Sequence, residues 1–120
     1  MTEQNELPKK STQPEMSKSE EIDSLLADLW QRHLPTLHDR LDILDRTASE
    51  AATGSLAEPS RAGALSIAHK LSGNLGMFGY HHAGKIASDI ELILRTPSPE
   101  GLLRLSALII ELRTTLASRL

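Results

Sequence analysis

The sequence predicts an all-α protein: an antiparallel up-down four-helix bundle with an additional N-terminal helix. Three observations carry that prediction. Apolar residues recur at helical spacing in five successive segments, the i, i+3, i+7 stripe that turns one side of a helix toward a core. No segment alternates with period two over a convincing length and valine is absent, so nothing supports a sheet. The segments are divided at Pro35, Gly54, Gly79 and Pro97, which leaves connections short enough to join antiparallel neighbours.

Residues 1–16 carry Pro8 and Pro14 among Gln, Glu, Lys and Ser, and read as a disordered tail ahead of a helical domain over 17–120. Ser17 and Glu20 fit a capping box, after which Ile22, Leu25, Leu26, Leu29, Trp30 and His33 repeat at helical spacing. This first helix is expected to end near Leu34, because a residue before proline is pushed out of the α region. Thr36 would cap a second helix with Leu37, Leu41, Leu44, Ala48 and Ala51 or Ala52 inside, closed by Gly54. Pro59 suits the first turn of a third helix, which runs to about Phe78 with Gly79 as its cap. The fourth, from about Tyr80 to Arg95, has Ala83, Ile86, Ala87, Ile90, Ile93 and Leu94 on one side, and Pro97 stops it. Ser98 and Pro99 open a fifth with Leu102, Leu105, Leu108 or Ile109, Leu112 and Leu116 inward. Leu103 and Ile110 widen its apolar surface, which suggests contact with the first helix as well.

Composition narrows the function classes. The 120 residues suffice for one domain with a single core. The absence of cysteine removes disulfides and thiolate metal sites and suits a reducing cytosol, so a cytoplasmic protein is expected. The N-terminal segment has no apolar stretch resembling a secretory signal, and no run is long enough to span a bilayer. A net charge of −3 with acids and bases interleaved gives no basic footprint for nucleic acid. Trp30, Phe78 and Tyr80 are the three aromatics, which leaves little to stack on bases.

The segment with most chemical content is 68–80, AHKLSGNLGMFGY. Ala68, Leu71, Leu75 and Phe78 form its core stripe, and His69 stands just off it. One and two turns further on lie Ser72, Gly73 and Gly76, so the imidazole overlooks a strip with almost no side chains. Each interior glycine costs a helix about 0.5–1 kcal/mol relative to alanine. Close approach of a partner is the natural reason to keep two of them beside one histidine.

These residues resemble the histidine phosphotransfer (HPt) domain family, whose signature is His-x-Leu/Ile-Lys-Gly with further glycines seven and ten residues after the histidine. His69, Leu71, Gly73, Gly76 and Gly79 are in register, with Phe78 at the frequent aromatic position. The resemblance implies a phosphorelay protein that reversibly accepts a phosphoryl group on His69 from a receiver-domain aspartate and passes it to another. It implies receiver domains and a histidine kinase, hybrid or not, as partners. It further implies no cofactor of the chain's own, Mg²⁺ being supplied by the receiver, and a covalent carrier without kinase activity or an ATP site. Glu91, 22 residues after His69, occupies the position where a family carboxylate or amide hydrogen-bonds the imidazole, and is expected to accept from Nδ1–H and aim Nε2 outward. Ser72 stands where the family most often has lysine, which removes a cation from beside the phosphate. Lys70 is the candidate to replace it in part, Lys85 a weaker one. Gly73, Gly76, Gly84 and Ser88 are expected to form the partner-docking floor, Gly84 having tight helix packing as an equal alternative. The expected state is a monomer.

Three other functions compete. A ferritin-like metal enzyme needs Glu-x-x-His pairs, and no histidine here has a glutamate three positions before it. The dimeric phosphoacceptor module of a sensor kinase normally has an acidic residue after its histidine, where this chain has Lys70. The closest rival is a non-catalytic adaptor, an HPt-like bundle that docks on a receiver or kinase without carrying phosphate; the missing lysine at 72 supports it and the intact His69 opposes it.

Overall fold

The computed structural model comprises α1 (Thr2–Ala52), α2 (Glu58–Met77), α3 (His81–Arg95) and α4 (Pro99–Leu116), followed by a 3₁₀ turn, Ala117–Arg119. Side chains are described from Lys18 to Leu120. The expectations placed on residues 1–17, a disordered tail and a Ser17 capping box, lie outside those described side chains. Among the described residues there is no strand.

The expected division at Leu34–Pro35 does not occur, because α1 continues through it. Proline removes one N–H from the helical ladder and crowds the carbonyl four residues earlier. Here that carbonyl belongs to Gln31, and Gln31 and Pro35 are both exposed, so water can take the acceptor that the missing N–H leaves. The additional N-terminal helix is therefore not a separate element, and Thr36 is an interior residue rather than a cap.

The chain divides into two units, residues 1–33 and residues 34–120. In the first, Arg32 pairs with Asp28 one turn earlier at 2.8 Å, the Trp30 and His33 rings lie 6.4 Å apart, and Ile22, Leu25 and Leu29 form an exposed apolar stripe.

The second unit is a four-helix bundle made of the C-terminal part of α1 with α2, α3 and α4. Its direction can be followed through contacts. Ser60 near the start of α2 donates to Glu50 near the end of α1 at 3.0 Å. Further along, Arg61 donates to the Leu94 carbonyl at 2.7 Å while His69 meets Glu91, so α3 runs back along α2. His82 lies 3.8 Å from Glu111 at one end of the α3–α4 pair, and Gly101 lies against Ile93 at the other. Arg113 of α4 closes the ring through Asp42 at 2.8 Å and Asp45 at 2.6 Å. Neighbours are antiparallel throughout, as connections of three to five residues require.

The core follows the predicted stripes. Leu37, Leu41 and Leu44 of α1, Leu71 and Leu75 of α2, Ile90 and Leu94 of α3, and Leu105, Ile109, Leu112 and Leu116 of α4 are fully buried. Each such side chain stabilises the fold by roughly 1.5–3 kcal/mol relative to exposure. Leu103 and Ile110, which widen the apolar surface of the last helix in the sequence, are exposed.

Helix ends match the sequence signals closely. The Ser98 side chain accepts from Gly101 N–H at 3.0 Å, and Pro59 sits in the first turn of α2. Gly79 takes φ +90°, and the Tyr80 and Gly79 amides donate to the Leu75 and Gly76 carbonyls, a Schellman ending that reverses the chain into α3 within three residues.

Candidate functional site

The site is built on the α2–α3 pair, and a glycine sets its spacing. A Cβ at Gly84 would meet the Ser72 carbonyl oxygen at 3.2 Å and the Gly76 nitrogen at 3.4 Å. Only a residue without a side chain lets the two backbones come this close without displacement. Gly84 is accordingly buried, and its expected place on the open docking floor is corrected: it packs α3 onto α2.

Two turns beyond Gly84 on α3, Glu91 faces His69 of α2, and His69 Nδ1 lies 2.9 Å from Glu91 Oε2. A carboxylate can only accept, so with Glu91 ionised the shared hydrogen belongs to Nδ1. In the neutral ring that leaves the lone pair on Nε2. The His69 side chain is 71% exposed whereas that of Glu91 is 12% exposed. A fixed carboxylate thus sits beneath a ring open to solvent.

Around this pair the structure separates the predicted residues. Gly73 and Gly76 have open space where a Cβ would stand, and Ser88 on α3 is exposed, so these three offer a low surface beside the ring. Ser72 donates its hydroxyl to the His69 carbonyl at 3.0 Å, within its own helix. Lys70 is exposed. Lys85 is committed to Asp89 at 2.7 Å.

One residue of this site was not anticipated from the sequence. Arg95, in the last turn of α3, donates from Nη2 to Glu91 Oε2, the same oxygen that His69 engages. The signal was available, since an acid followed four residues later by arginine places both on one helical face. His81 and His82 open α3 and are exposed. Among the described residues no group of three or more His, Cys, Asp or Glu could hold a metal ion, and no helix is long and apolar enough to cross a membrane.

The geometry permits one kind of chemistry directly, attack by an oriented imidazole nitrogen on an electrophile delivered by a partner that can reach down to a glycine-lined surface. A comparison with protein families covers this part of the chain. The family model described as Hpt domain matches residues 20–118, which includes His69, Glu91 and all of the bundle. No curated protein and no solved structure matches the chain at a significant level.

Proposed function

The chain belongs to the Hpt domain family, whose members take part in histidine phosphotransfer within phosphorelays, and from that premise we propose that His69 is its phosphoacceptor. The observation that carries this reading is the 2.9 Å contact between His69 Nδ1 and Glu91 beside an exposed surface at Gly73 and Gly76. It combines a held ring, a free nucleophilic nitrogen and room for a second protein.

The transfer balances without a proton relay. The Nε2 lone pair attacks the phosphorus of an aspartyl phosphate in line, the N–P bond forms, the P–O bond to the aspartate breaks, and that carboxylate leaves with the electron pair. The Nδ1 proton stays where it is, and the ring acquires imidazolium character that the adjacent Glu91 carboxylate stabilises. Running the steps backward returns the phosphoryl group to a second aspartate. Mg²⁺ belongs to the receiver domain in this scheme and supplies charge compensation on the donor side. What this chain contributes is orientation, and in phosphoryl transfer positioning and electrostatics do most of the work.

The partners on this reading are response-regulator receivers and a histidine kinase, hybrid or not, met by a monomeric cytoplasmic carrier that has no ATP site. Transient signalling contacts of this type lie around or below 1,200 Å². Incubation with phosphorylated receiver domains, followed by detection of acid-labile, base-stable label, tests the reading. Wild type should become labelled and His69→Gln should not. Binding to receivers with no label on any of them would instead favour the adaptor function, which Ser72 at the lysine position supports.

A further inference from the structure

A carboxylate beneath the acceptor ring creates a conflict. Glu91 is well placed to fix Nδ1–H, yet it puts a negative charge on the ring that must take up an anionic phosphoryl group at Nε2, and Ser72 brings no cation to offset it. The nearby lysines do not resolve this on the geometry present. Lys85 is engaged by Asp89, and Lys70 is exposed on the residue after the histidine. Arg95, in contrast, is bonded to the very oxygen that holds the ring.

We propose that Arg95 is a positioning residue for His69: it pins the Glu91 carboxylate in the orientation that accepts from Nδ1–H and offsets its charge as the phosphoryl group arrives. This rests on the reading of His69 as phosphoacceptor for its second half, while the first half concerns the resting protein alone. Three features support it. Glu91 is the least exposed member of the trio, and its Oε2 lies between two donors. The guanidinium has five N–H donors in a planar fork, so a contact with one carboxylate oxygen leaves others for phosphate oxygens. The Arg95 side chain is 57% exposed, so those remaining donors face solvent rather than the core. An ordinary surface pair between positions i and i+4 would add slightly to helix stability and leave the imidazole unaffected.

The two cases separate by spectroscopy on the unmodified protein. ¹⁵N spectra of the His69 ring report which nitrogen carries hydrogen. Wild type should show predominantly the Nδ1–H tautomer, R95M a mixture with a substantial Nε2–H fraction, and R95K a return toward wild type. Uptake of label from phosphoramidate should fall about two- to fivefold in R95M, the range that loss of an exposed charge contact supports, and recover in R95K. Circular dichroism establishes that the variants are folded. Ring spectra of R95M identical to wild type, or a change that R95K does not reverse, would overturn the assignment. Failure of wild type itself to take up label would count against the phosphoacceptor reading and against the charge-offset role, and the ring spectra would still decide the orienting role.

Discussion

Gly84 on α3 lies so close to Ser72 on α2 that a methyl group added at Gly84 would stand 3.2 Å from the Ser72 carbonyl oxygen. The contact is with backbone, which cannot swing aside. The separation of α2 and α3 is therefore set here, and it is this separation that lets His69 and Glu91 meet two turns further along α3.

The glycines of the site are predicted to respond in opposite ways to substitution. Gly84→Val should destabilise the protein by about 1–3 kcal/mol through overpacking and slow phosphotransfer by spreading the two helices. Gly73→Ala fills open space in an exposed helix interior, so it should stabilise by roughly 0.5–1 kcal/mol. If Gly73 is kept for docking, the same variant should nevertheless accept phosphate more slowly from a receiver than wild type. Chemical denaturation paired with transfer kinetics measures both; a more stable Gly73→Ala with unimpaired transfer would remove the docking role.

Glu91 can be tested by separating hydrogen bonding from charge. Glu91→Gln keeps an oxygen that accepts from Nδ1–H, whereas Glu91→Ala removes it. Transfer should fall about ten- to a hundredfold in Glu91→Ala, corresponding to a lost charged hydrogen bond of about 1.5–3 kcal/mol, and less in Glu91→Gln. Single-turnover transfer from a phosphorylated receiver gives the comparison. Equal rates in Glu91→Ala and wild type would show that the ring needs no such partner.

At the far end of α2, Glu58 takes hydrogen bonds from Arg61 Nε at 2.9 Å and from Nη2, while Arg61 also reaches the Leu94 carbonyl. The hydrogen bond from Arg61 holds the Glu58 carboxyl below its ordinary value, with desolvation opposing it and the Arg61 charge reinforcing it. A carboxyl depressed in the folded state contributes stability that is present above its unfolded pKa and is lost as pH falls through the folded one. Glu58→Gln should thus be less stable than wild type at neutral pH, and the gap should narrow at a pH below the ordinary carboxyl value of about 4. Urea denaturation at both pH values checks it. A constant difference would assign the effect to something other than ionisation.

Pro35 accounts for most of the distance between the expected and observed folds. The stripes at Leu37–Leu44, Ala68–Leu75, Ile86–Leu94 and Leu105–Leu116 are legible because burial and helical period coincide there, and Ser98, Pro59 and Gly79 mark ends through their own backbone chemistry. A proline weakens a helix without deciding whether it breaks, and the exposure of Gln31 and Pro35 that tips the balance is a tertiary fact. Gly84 was ambiguous for a similar reason, because sequence cannot tell a glycine facing solvent from one facing a backbone. The His69–Glu91 pairing is legible only through family resemblance, whereas the spacing of Arg95 from Glu91 is visible in the chain but does not by itself point to His69. Restoring the missing N–H with Pro35→Ala should raise the stability of α1 by about 1–3 kcal/mol and leave phosphate acceptance unchanged. Thermal unfolding followed by circular dichroism reads the first; a lower midpoint would mean that the proline itself is needed.

The identity of the phosphorylated atom tests the central claim most directly. The chain has five histidines, and the 2.9 Å bond of His69 Nδ1 to Glu91 leaves Nε2 as the nucleophile. Phosphorylation of ¹⁵N-histidine-labelled protein, followed by ³¹P–¹⁵N correlation spectra with His69→Gln as control, should show one phosphohistidine, at His69, bonded through Nε2. Phosphate at Nδ1, on any other histidine, or on none would contradict it.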